Sequence, residues 1–98
     1  MKVEQLINNK GNGAVNQFVI TTNNAYYFQS YDSMIAKYDR KSGIITLGRD
    51  WDFSKTTMKH LNIFLDNYCY KSGMNKKRIE KAIADGEIIY DENLKYKD

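Results

Sequence analysis

The sequence predicts an α+β domain: an antiparallel sheet of four to five strands with one long and one shorter helix packed on one face. Three observations carry that expectation. Residues 15–49 hold short runs rich in Val, Ile, Thr, Tyr and Phe, the residues that suit a pleated, half-buried surface. Met58, Leu61, Phe64, Leu65 and Tyr68 then recur at helical spacing. Between these segments stand Gly and Asn, the residues that accept turn conformations. A chain of 98 residues, 42% apolar and 13% aromatic, is one domain able to bury a single modest core.

In chain order, residues 1–9 are ambiguous in type, and Gly11, Asn12 and Gly13 form a loop before the first clear strand. Residues 15–22 and 25–31 flank Asn23 and Asn24, a pair suited to the two-residue turn of a hairpin. Along the first of these strands Phe18 and Ile20 point one way and Val19 the other. Residues 34–39 and 44–49 flank a polar connection ending in Gly43, which predicts a second hairpin with Ile45 and Leu47 sharing a face. Ile35, Ala36 and Tyr38 do not alternate cleanly, and a short helix over 33–39 is the competing assignment.

The long helix spans residues 54–70. Ser54 or Asp52 caps its start, Cys69 joins its buried stripe, and Gly73 supplies the left-handed residue beyond its end. Asn75 caps a shorter helix over 76–85 that buries Ile79, Ala82 and Ile83, and Asp85 and Gly86 terminate it. Residues 87–90 form a final edge strand, and the polar residues 91–98 fray.

Composition narrows the function. The net charge of +3 is small for a nucleic-acid binder unless the charge is clustered. One cysteine excludes an internal disulfide and fits a reducing compartment. No apolar run reaches signal-peptide or membrane-spanning length, so the expected location is cytoplasmic, with no membrane partner.

Few residues offer chemistry. A structural zinc needs about four nitrogen or sulfur ligands, and the chain has one His and one Cys. Asp50 and Asp52, with Asp32 or Asp66, could face a hard cation, but capping is the ordinary use of Asp52. His60 is the one side chain that titrates near neutrality, and helical geometry places it away from the apolar stripe beside Thr56 and Ile63. Cys69 reads as a small buried hydrophobe. Gly11 and Gly13 lack the flanking strand and helix that a phosphate loop requires. The expectation is therefore a protein that is not an enzyme, with no cofactor and no metal.

Two surfaces remain. Lys71, Lys76, Lys77, Arg78 and Lys81 gather around the start of the short helix, a candidate phosphate-binding patch or simply a solvated face. Tyr26, Tyr27, Phe28 and Tyr31 place rings on both faces of one strand, either as cross-strand pairs or as an interface. His60, Ile63, Tyr70, Tyr27 and Tyr31 are the candidate partner-binding residues, Ile63 because it breaks the polar side of the long helix.

The blocks at 11–18, 27–32, 51–57 and 62–65, together with Ala84, Asp85, Gly86 and Glu87, resemble a family of small proteins carried by phages, plasmids and other mobile elements of low-GC Gram-positive bacteria. The resemblance covers most of the chain and transfers no catalytic residue. It implies an accessory role: binding and inhibiting or modulating a host protein or ribonucleoprotein complex, most concretely as an anti-CRISPR inhibitor. Direct nucleic-acid binding through residues 71–81 is the alternative.

Overall fold

Strands β1 (Lys2–Ile7), β2 (Gly13–Thr21), β3 (Ala25–Ser30), β4 (Ser33–Asp39) and β5 (Ile45–Leu47), helices α1 (Lys55–Cys69) and α2 (Lys76–Ala84), and strand β6 (Ile88–Tyr90) follow in order through residues 1–97, which this computed structural model describes. The strands form one sheet in the order β1-β2-β3-β4-β5-β6. Neighbours from β1 to β5 run antiparallel, as adjacent hairpins must. β6 pairs with β5 in parallel, because α1 and α2 carry the chain back before it enters the sheet. The α+β class holds, while the sheet is mixed and larger than expected, with β1 supplied by the ambiguous N-terminal segment.

Both helices contribute to the main core. Leu6, Val19, Phe28, Ile45, Leu47 and Ile88, one or more from each strand but β4, meet Leu61, Phe64, Leu65 and Cys69 of α1 and Ile79 and Ala82 of α2. β4 adds both Ile35 and Ala36. Neighbouring residues share one face there because a bulge interrupts the ladder: Phe28 pairs with Ala36 and Gln29 with Met34, leaving Ile35 as the extra residue. The broken alternation that suggested a helix is this bulge.

Turn chemistry differs from expectation in two places. Asn23 and Asn24 avoid positive φ; instead the Thr22 hydroxyl accepts the N–H of Asn24 at 3.2 Å and of Ala25 at 3.0 Å. α1 ends one turn of chain earlier than Gly73, with Tyr70 itself in the left-handed region at φ 57° and the Lys71 N–H donating to the Leu65 carbonyl at 2.9 Å. Leaving β5, the Gly48 N–H donates to Ile35 O at 2.8 Å, and a Cβ at Gly48 would strike the Met34 carbonyl oxygen. Only glycine permits that approach.

The reverse face of the sheet carries a second apolar cluster of Ile20, Ala25 and Tyr27, against which Met34 and Tyr96 pack. The tail does not fray as expected: the Tyr27 hydroxyl donates to the Lys97 carbonyl at 2.9 Å, and the Tyr27 and Tyr96 rings meet edge to face at 5.1 Å. Apolar surface on that face is what holds the chain end down. Among the described residues no helix is long and apolar enough to cross a membrane.

Candidate functional site

The structure divides the candidate partner-binding residues. Tyr70 and Tyr31 are exposed, at 84% and 63%, and both hold left-handed backbone. Ile63, at 5% exposure, belongs to the main core and is not a surface residue. Although it lies away from the sheet-facing stripe of α1, Asn9 of the β1–β2 connection and Gly73 and Asn75 of the interhelical connection border the same depression, so this side of the helix is covered too. Tyr27, at 2% exposure, is likewise no interface residue, since the tail covers it on the reverse face. On the helix side of the same strand Tyr26 stacks with Tyr38 at 6.1 Å, meets Tyr68 edge-on at 5.2 Å and holds the Arg40 guanidinium at 4.7 Å, an ordinary cross-strand cluster.

His60 is partly buried, and its Nδ1 has no hydrogen-bond partner. Burial, then the neighbouring Lys59 charge, push its pKa below 6.5, against a weaker upward pull from the Thr56 carbonyl. Burial pushes the Cys69 thiol up to about 12, with Lys71 opposing weakly, so it stays protonated at neutral pH.

The basic residues do gather at α2, but several have partners within the chain. Asn75 caps α2 by accepting the Arg78 N–H at 2.9 Å, and the Arg78 guanidinium donates to Gly73 O at 2.9 Å, fastening the interhelical connection. Lys81 pairs with Asp85 at 3.0 Å and Lys76 with Asp52 at 3.8 Å. Asp52 therefore steadies α2 rather than capping α1, a role that falls to Ser54, whose Oγ accepts the Thr57 N–H at 3.0 Å.

A cleft of about 500 Å³ opens where the start of α1 meets the β3–β4 turn. Three irregularities build it. β1 and β2 change register between the pairs Gln5–Phe18 and Ile7–Gly13, so that residues 14–17 lie opposite Leu6 alone. Within that bulge Asn16 takes φ 61°, and its carbonyl accepts the N–H of Tyr31, itself at φ 53°, at 2.8 Å. Gln17 and Asp32, the residues that follow these two left-handed positions, both line the cleft. The opposite wall comes from the turn that closes with Phe53 N–H donating to Asp50 O at 3.1 Å and from the first residues of α1.

The rim and the wall differ in character. Phe53, 79% exposed, and Tyr31 are large rings left in water beside the cleft. Asp50 Oδ2 accepts from the Ser33 hydroxyl at 3.0 Å, joining the two walls. Gln17 is 3% exposed; its Nε2 lies 3.4 Å from Val15 O, while its Oε1 is buried with no partner. Tyr31 stands among the candidate partner-binding residues read from the sequence, where its exposure could not be told from the burial of Tyr27. Phe53 and Gln17 were missed, because a Phe inside a Trp-Asp-Phe-Ser run reads as core and a strand Gln reads as surface.

No match to the chain was found among curated proteins or among solved structures. Residues 1–81, which include β1 to β5, α1 and every residue lining the cleft, match DUF8033, a family of unknown function, and the chain belongs to that family.

Proposed function

We propose that this chain is a non-enzymatic binding domain that engages a protein partner through the Tyr31–Phe53 rim of the cleft. The observation that carries this reading is the pair of exposed rings on one concave surface, each fixed by local backbone. Aromatic residues are the usual anchors of protein interfaces, because they bury much area while losing little side-chain freedom. A rim of this kind suits the accessory role implied by the resemblance to proteins of mobile elements, inhibition of a host protein or ribonucleoprotein complex. An anti-CRISPR inhibitor is its most concrete form.

The test compares the wild type with the double variant Tyr31→Ser/Phe53→Asp. Both are immobilised and exposed to nuclease-treated lysate of a low-GC Gram-positive host, and wild type is added to a Cas nuclease–guide complex cleaving target DNA. Host protein held by the wild type and lost by an equally stable variant supports the reading. Equal retention by both overturns it, and retention that vanishes on nuclease treatment moves the contact to the basic residues of α2. Unimpeded cleavage removes inhibition of that nuclease from the reading and leaves the docking surface to the capture result.

A further inference from the structure

We propose that the cleft is a socket for an arginine side chain presented by the partner, its guanidinium bonded to Asp50 and Gln17 and flanked by the Phe53 and Tyr31 rings. The proposal rests on the protein-binding reading above and names the chemistry of what is bound.

Charge is the first argument. The lining residues include Asp32 and Asp50 and no Lys, Arg or His. The start of α1 points the opposite way electrostatically, but a helix N-terminus amounts to about half a positive charge. Two carboxylates outweigh it. The Thr57 N–H is also already taken by Ser54 Oγ, which leaves less of that terminus to offer an anion. The Arg49 Nε of this chain lies 4.0 Å from Asp50 Oδ1 on an exposed side chain, too far for a hydrogen bond, so it leaves Asp50 free to bond a second guanidinium.

The second argument is the unpartnered Gln17 Oε1. The Val15 carbonyl beside Nε2 fixes which end of the amide donates, so the orphan atom is an acceptor that needs a donor. A buried acceptor without a partner is costly, and an incoming N–H recovers that cost only on binding. Gln17 lines the cleft, so a donor seated there lies beside this amide.

The rings decide among cations. A guanidinium is planar, weakly hydrated and stacks on aromatic faces while its five N–H groups reach several acceptors at once. An ammonium is a hydrated point charge and uses the rings less well. A bare metal ion could not use them, and among the described residues no group of three His, Cys, Asp or Glu comes together to hold one.

The test titrates N-acetylarginine methylamide into the ¹⁵N-labelled full chain, with the norleucine and lysine analogues as controls. Saturable shifts at residues 16–17, 30–33 and 50–57 are expected for arginine, with a dissociation constant of the order of millimolar, and at least about threefold weaker binding of lysine. Asp50→Asn should weaken arginine binding by about threefold or more without changing the melting temperature. Gln17→Leu should weaken it as well, and Asp50→Asn keeps the test decisive if the buried substitution unfolds the chain. Equal shifts with norleucine, or no saturable shift with arginine up to about 50 mM, overturn the socket. If Tyr31→Ser/Phe53→Asp abolishes partner capture while no arginine probe binds, the socket fails and the docking surface stands; arginine binding with capture indifferent to those rings overturns the docking surface and, with it, the partner as the source of the arginine.

Discussion

His60 shows how a single environment sets a charge. Its ring is held neutral in the folded chain at pH values where an unfolded chain would protonate it, because burial and Lys59 both oppose the cation. A depressed folded pKa stabilises the native state above the ordinary histidine value of 6.5, and that contribution is lost as pH falls through the folded value. Asp39 behaves in the same sense much lower: the Ser42 and Lys41 N–H groups hold its carboxylate below 3.8, so its loss comes only in stronger acid. Melting temperature should therefore drop between about pH 7 and about pH 5 in wild type and much less in His60→Gln. Parallel pH profiles for the two proteins would show that the ring is solvated. Helical periodicity placed His60 off the main stripe, but spacing within one helix carries no information on its partial burial.

At the scale of elements, α1 was the most legible part of the chain. Its stripe, its Ser54 cap and the Asn75 cap of α2 all follow from local chemistry, and all are present. What spacing could not supply is the second covered side of the helix, on which Ile63 lies with little exposure. Leu61→Ala and Leu65→Ala should each cost about 2–5 kcal/mol, because both side chains are fully buried and the core cannot close over the gaps. Ile63→Asp should destabilise the fold as well, by placing a carboxylate where there is little water to solvate it. Urea denaturation of the three variants checks both claims. A wild-type midpoint for Ile63→Asp would return that residue to the surface. In the sheet, the bulge at Ile35 was visible in the sequence as a failure of alternation. Its cause lay in pairing with β3, which no local pattern encodes.

For the whole molecule the sequence conveyed the α+β class but not how the chain closes on itself. β6 was readable as a strand, yet its parallel pairing with β5 depends on where two helices deliver it. The tail differs from expectation for a related reason: residues 91–98 look polar and terminal, and for residues 91–97 the apolar cluster on the reverse face gives the chain something to cover, while Asp98 lies outside the described residues. That covering also explains the burial of Tyr27, which leaves Tyr31, in the turn just beyond the strand, as the ring available to a partner. Tyr96 is the residue through which the claim can be tested. Its ring meets Tyr27 edge to face at 5.1 Å and its hydroxyl reaches the Met1 sulfur at 3.1 Å, so it ties the chain's two ends over the same face. Tyr96→Ala removes the ring contact, about 0.5–1.5 kcal/mol, together with the apolar area that the ring shields. The melting temperature should fall by several degrees, about 4–8 °C for each kcal/mol in a domain of this size. Phe at the same position, which keeps the ring and loses only the hydroxyl, should recover most of the loss. An unaltered melting temperature in Tyr96→Ala would mean that the tail does not hold the reverse face, and the burial of Tyr27 would need another cause.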